Sequence, residues 1–156
     1  MIKNAIIALF LFAAPLFAQT QQPSDPPEGF DKIEQMIPMR DGVKLHTIIY
    51  APKSRQDSLP ILLNRTPYGI DNIYRGFAAP SPLQELIDEG FIFAFQDIRG
   101  KFKSEGQFVM TRPPRGPQNS TPLDEGTDTY DTIDWMLKNI PHNNGRVGMF
   151  GTSYGG

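Results

Sequence analysis

The sequence contains no cysteine. That excludes disulfide bridges, a thiolate nucleophile, a cysteine-ligated metal and a lipoprotein anchor, and it leaves the hydrophobic core alone to stabilise the fold. Histidine is almost as scarce. His46 falls in an alternating run and His142 follows Pro141, so both are expected at the surface. An excess of one charge sign is lacking too: the net charge is −2, or −3 once Lys3 is removed with a leader, which gives no electrostatic reason for nucleic acid or an anionic membrane as partner. The longest apolar stretch, Ala5 to Phe17, falls short of the ~20 residues a membrane span requires.

What is present begins with that stretch. Met1-Ile2-Lys3-Asn4 is a short basic start, Ala5 to Phe17 is apolar, and Ala18 precedes the polar Gln19-Thr20-Gln21-Gln22. This is the pattern of a signal peptide over 1–18, cleaved after Ala18. The mature protein is then exported, periplasmic or secreted, with no stable membrane insertion after the leader is removed. Residues 19–29, rich in Gln, Pro and Ser, read as a disordered or extended arm. Residues 30–156 form one further unit, in which abundant Pro and Gly mark many turns.

In that unit, alternating runs on either side of Arg40-Asp41-Gly42 predict a hairpin with strands at about 31–39 and 43–51. Leu59 to Asn64 is a short apolar run typical of a buried strand. Ser81-Pro82-Leu83-Gln84 and Gly90 bracket a helix over 82–89, which feeds a second apolar strand, Phe91 to Gln96. The stretch from Asp97 to Pro122 reads as loop. A helix over 124–140 carries an inward stripe of Tyr130, Ile133, Leu137 and Ile140, with acidic residues early and Pro141 as its stop. After the turn Asn143-Asn144-Gly145, Arg146 to Phe150 is a third buried strand. An antiparallel hairpin followed by two strand-helix-strand units is the opening half of an open α/β sheet.

Immediately beyond the last strand stands Gly151-Thr152-Ser153-Tyr154-Gly155, the pattern G-x-S-x-G. In a sharp strand-to-helix turn it pushes a serine hydroxyl out of the backbone as a nucleophile. A plain Gly-rich turn is the alternative. The spacings G-x-x-x-x-G-K and G-x-G-x-x-G of phosphate-binding loops are not matched. In such an elbow the backbone N–H after the nucleophile, that of Tyr154, points at the developing oxyanion. The loop Arg65-Thr66-Pro67-Tyr68-Gly69 lies where the second donor is expected, and the Tyr68 hydroxyl can supply it. The acid and base of a triad follow the serine in this chain order, so His46, His142, Asp97, Asp128, Asp131 and Asp134 are read as surface, loop or helix-face residues. On this reading the sequence is an N-terminal piece ending at its nucleophile elbow, with little turnover expected of it alone. A noncatalytic secreted binding module is the alternative from another class.

Arg65-Thr66-Pro67-Tyr68, Gln96-Asp97-Ile98-Arg99-Gly100, Ser104-Glu105-Gly106, Asp131-Thr132-Ile133-Asp134-Trp135 and Gly145-Arg146-Val147-Gly148 before the elbow together resemble the α-amino-acid ester hydrolases. These belong with cocaine esterase, glutaryl acylases and X-Pro dipeptidyl-peptidases. The resemblance, from about Phe30 to Gly156, implies the N-terminal part of an α/β-hydrolase fold. It implies Ser153 as nucleophile, and the Tyr68 hydroxyl and Tyr154 amide as oxyanion donors. It further implies an acyl-enzyme mechanism on small esters or amides without metal or cofactor, room for an α-amino group on the substrate, and a full-length parent that can be a homo-oligomer. X-Pro peptidase or glutaryl acylase activity is the alternative within the family. One position departs from the ester hydrolases: Gly155 stands where they carry Glu, in Ser-Tyr-Glu-Gly.

Overall fold

The computed structural model describes residues 28–54, 57–71 and 82–155. The expected signal peptide, nearly all of the expected arm, and Ser81, the expected cap of the first helix, lie outside the described residues. The elements are β1 (Phe30–Pro38), β2 (Lys44–Pro52), β3 (Leu59–Thr66), α1 (Gln84–Glu89), β4 (Ile92–Asp97), α2 (Glu125–Asn139) and β5 (Asn143–Met149), followed by a 3-10 turn at Ser153–Gly155. They form one five-stranded sheet in the order β1-β2-β4-β3-β5. The β1–β2 and β2–β4 pairs are antiparallel, whereas β3 runs parallel to both β4 and β5. As expected, the hairpin turns at Asp41-Gly42, where the Gly42 N–H donates to the Met39 carbonyl at 2.9 Å.

The short run Ile92-Phe93-Ala94-Phe95 explains how two helices cover the sheet. Side chains alternate along a strand, so Ile92 and Ala94 join the cluster that holds Met136 and Ile140 from the α2 segment. Phe93 and Phe95 join the opposite cluster, against which Leu86 and Ile87 of α1 pack. Both faces being covered, β4 is buried throughout. The helix ends follow local chemistry. Asp124 caps α2 by accepting from the Thr127 N–H at 2.6 Å, while the Thr127 hydroxyl accepts from the Asp124 N–H at 2.9 Å. Gly90 closes α1 in the left-handed conformation.

Four expectations are corrected. First, β2 is covered on both faces, and His46 is buried at 2% exposure rather than at the surface. The cause is the loop after β4, which runs on beside β2 past the end of β4: the His46 N–H donates to the Ser104 hydroxyl, and the Glu105 N–H to the Lys44 carbonyl. Second, Tyr130 is 65% exposed and does not belong to the inward stripe of α2, whose buried residues are Thr127, Asp128, Thr132 and Met136. The inward face is partly polar because it meets buried polar partners from the sheet: Thr132 bonds to the Gln96 side chain, and Asp128 to Arg99. Third, β5 is not buried; it is the sheet's edge and largely exposed. Fourth, Asn143-Asn144-Gly145 belongs to β5 and not to a turn before it. Pro60, which has no N–H to offer, sits where the β3–β5 register shifts, and the extra residues of β5 are taken up there.

Candidate active site

The end of β5 is tied to β3 before the chain turns. The Phe150 N–H donates to the Leu63 carbonyl at 3.1 Å, and the Asn64 side-chain amide donates to the Phe150 carbonyl at 2.9 Å. Ser153 then adopts φ +58°, in the left-handed region that residues with a Cβ avoid. Its side chain is exposed. Gly155 closes the elbow against the end of β3, where a Cβ would lie 2.8 Å from the Arg65 carbonyl oxygen. In this packing a side chain at position 155 would have to shift the backbone.

Strand β3 runs two residues further than expected, through Arg65 and Thr66, and delivers Pro67-Tyr68-Gly69 to the same end of the sheet. The Tyr68 N–H donates to the Thr66 hydroxyl at 3.1 Å. The Tyr68 hydroxyl lies 3.3 Å from Ser153 Oγ, joining residues 85 apart in sequence. Tyr154 is partly exposed, and its hydroxyl accepts from the Thr111 N–H at 3.3 Å. Beside the elbow is a cleft of about 150 Å³ bounded by Arg65, Pro67, Ile98, Glu125, Met149 and Tyr154. A larger hollow of about 380 Å³, around Arg40, Arg115, Asp124 and Tyr130, includes none of the elbow residues.

Behind these loops are buried charges for which the sequence reading had no role. Arg65 donates from Nε to Gln96 Oε1 at 2.8 Å and from Nη1 to Thr129 Oγ1 at 2.6 Å. Burial pulls its guanidinium below the ordinary value, against the pull of Glu125 and Asp128. Arg99 forks onto Asp128, with contacts of 2.8 and 2.7 Å, and onto Asp41 at 2.7 Å. It thereby binds the loop after β4 to α2 and to the hairpin turn. The hydrogen bonds to Asp128 raise the Arg99 pKa, and the bond from Arg99 holds the Asp41 carboxyl below its usual range. Asp128 and Asp97 are therefore buried partners, not solvated-face or loop residues, and Asp131 chelates Arg40. The available signal was position: Arg65 and Asp97 stand at the ends of the largely apolar strands β3 and β4, and Arg99 lies just beyond β4, where burial continues past the apolar run.

His46 brings Nδ1 to 3.0 Å from Asp97 Oδ2 and Nε2 to 2.7 Å from Glu34 Oε1. Carboxylates only accept, so both ring nitrogens donate and the imidazole is cationic. Burial lowers its pKa, but the bonds to Asp97 and Glu34 outweigh that, and the pKa lies above the ordinary value. Ligand atoms of Glu34, His46 and Asp71 all lie within 4.8 Å of one another. Lys103 Nζ, however, is 2.8 Å from Asp71 and 3.4 Å from Glu34 and supplies the positive charge there. Neither histidine is placed to take a proton from Ser153. His46 has committed both nitrogens, and exposed His142 sits at the opposite end of β5, roughly 20 Å of strand away.

A family model described as X-Pro dipeptidyl-peptidase (S15 family) matches residues 41–156. Cocaine esterase of Rhodococcus sp. (strain MB1 Bresler) is 36% identical over 119 residues, 76% of this chain and 18% of that protein. Among solved structures, an α-amino acid ester hydrolase is 43% identical with a TM-score of 0.72, covering 92% of this chain and 25% of its own. An aminopeptidase from the marine sediment archaeon Thaumarchaeota archaeon is 41% identical with a TM-score of 0.75, covering 94% of this chain and 25% of its own. The chain thus spans a quarter or less of the length of these relatives, and its sheet corresponds to the N-terminal part of their α/β-hydrolase fold. On the strength of a match across most of its length, the chain belongs to the X-Pro dipeptidyl-peptidase (S15) family, a family of hydrolases that includes esterases and peptidases.

Proposed function

We propose that this chain provides the nucleophile and oxyanion half of an exported serine hydrolase that cleaves small esters or amides through an acyl-enzyme. Ser153 is the nucleophile, and the Tyr68 hydroxyl and Tyr154 backbone N–H receive the oxyanion. The observation that carries this reading is the 3.3 Å approach of Tyr68 to Ser153, at a left-handed serine on the carboxyl end of a strand. A carbonyl carbon bonded to Ser153 Oγ places its oxygen within reach of the same phenol, whose donated hydrogen bond stabilises charge that develops only in the transition state.

The Ser153 proton passes to a base and then to the departing alcohol or amine. Water next attacks the ester linkage to Ser153, releases the acid and returns the hydroxyl. Because this chain covers only a quarter or less of these relatives, we assign the base and its carboxylate partner to a segment outside this chain. Two solved relatives above 40% identity are an α-amino acid ester hydrolase and an aminopeptidase, so the proposed substrate carries an α-amino group on its acyl side.

A fluorophosphonate probe tests this on protein expressed from the complete reading frame. Ser153 should be labelled, and Ser153→Ala should not. Tyr68→Phe should lower kcat by roughly 10²–10³ with little change in KM. An N-acetylated α-amino-acid ester should be a poorer substrate than its free-amino counterpart; equal turnover would discard the proposed substrate class.

A further inference from the structure

Resting on the serine-hydrolase reading, we propose that the loop from Gly100 to Thr111 is a clamp that positions both oxyanion donors: Phe102 steadies Tyr68, while Phe108 and Thr111 steady Tyr154.

The base of this loop is fixed. Arg99 is forked onto two carboxylates, the Ser104 hydroxyl donates to the Asp97 carbonyl at 2.6 Å, and the Gly100 N–H donates to the Glu105 carbonyl at 2.9 Å. A Cβ at Gly100 would lie 2.1 Å from the Phe108 nitrogen, and φ is +69° there, so glycine alone lets the outgoing limb return across its own start.

Two arms leave that base, each reaching one donor. Phe102 is held at φ +48° and is mostly exposed, so core burial does not account for its placement. Its ring lies over Gly69, where a Cβ would be 2.9 Å from ring carbons; Gly69 directly follows Tyr68. On the other arm, the Phe108 ring centroid is 6.1 Å from that of Tyr154, and Lys101 Nζ lies 4.6 Å from the Phe108 centroid. Thr111, at φ +55°, donates its N–H to the Tyr154 hydroxyl. Both left-handed, non-glycine residues of this loop therefore sit where it reaches an oxyanion residue. Such backbone persists only where the surroundings over-determine it. With its ring contacted on one side and its hydroxyl tethered, Tyr154 has little freedom to rotate its amide away. Phe102 likewise limits the hinge at Gly69. Both are positioning roles, since the loop touches the donor residues and not the reacting atoms.

The test compares kcat and KM on a small activated ester, in protein from the complete reading frame, for Phe102→Ala, Phe108→Ala, Tyr154→Phe and Ser153→Ala. The clamp predicts about a tenfold fall in kcat for Phe108→Ala with KM unchanged, partial recovery in Phe108→Leu, and a smaller fall for Tyr154→Phe, which loses only the accepting oxygen. Thermal melts identify any alanine variant that fails to fold, and Tyr154→Phe then carries the test. A rise in KM alone would make Phe108 a wall of the substrate site and overturn the clamp. Unchanged kcat in Phe102→Ala, Phe108→Ala and Tyr154→Phe, with Ser153→Ala inactive, overturns the clamp and leaves the hydrolase reading standing. Full activity in Ser153→Ala overturns both.

Discussion

Strands β4 and β5 both flank or follow β3 in parallel, yet they are opposites. β4 lies between β2 and β3 with a hydrophobic cluster on each face, and every one of its residues is buried. Among the described residues β5 pairs with β3 alone; it is mostly exposed and carries the serine at its end. Packing energy is therefore concentrated at β4, and the strained serine turn lies at the end of β5. The residue at the elbow holds a backbone conformation that costs stability, which the edge can tolerate because the interior strands hold the sheet together.

The comparison breaks if the two strands respond alike to mutation. Phe93→Ala in β4 removes a fully buried ring set edge-on to Phe30 and should cost about 3–5 kcal/mol in urea unfolding of this chain. Arg99→Met, which leaves Asp128 buried without its partner, should cost about 3 kcal/mol even though it lies beyond the end of β4. A smaller effect is expected from His46. Its folded pKa is raised, so its contribution is complete below the unfolded value and is lost as pH rises through the folded value. Glu34 and Asp97 accept from the ring, and Lys103 opposes its charge. The melting temperature should accordingly be higher at pH 6 than at pH 8.5, and His46→Gln should abolish that difference. At the elbow the sign reverses: Ser153→Gly, relieved of left-handed strain, should gain about 1 kcal/mol while losing all probe labelling. The smallest change is Val147→Ala on β5, a loss of under about 1 kcal/mol. A cost matching that of Phe93→Ala would show that the edge is not the weakly packed side of this sheet.

The contrast also marks what a linear reading could reach. The apolar run at 91–96 has one physical outcome in a chain of this kind, and so does Asp-Gly between two alternating runs; both elements appear within a residue or two of where patterning puts them. The elbow was legible for the same reason, since G-x-S-x-G directly after a strand specifies a local turn. Burial of charge was not legible. His46 stands in a regular alternation that matches a half-solvated strand, and only the loop returning from residue 98 onward covers it. The exposure of Tyr130 has a similar origin: helical spacing names a stripe, but the sheet meets a face one residue round, where Thr132 and Asp128 find polar partners.

By itself, the sequence determined the local structures: two helices, with the Gly90 stop of α1 and the acidic start of α2, five strands, a hairpin turn and a sharp turn at the serine. Each follows from side-chain periodicity, capping chemistry or the conformational freedom of glycine, which act over a few residues. The tertiary structure alone decided which charges are buried, that β5 is the exposed edge, and that Tyr68 and Ser153 meet at 3.3 Å across 85 residues. Those outcomes depend on which strands become neighbours and on where the loop after β4 returns. Sheet order and loop path are set by the sum of many distant contacts, which no short window of sequence contains.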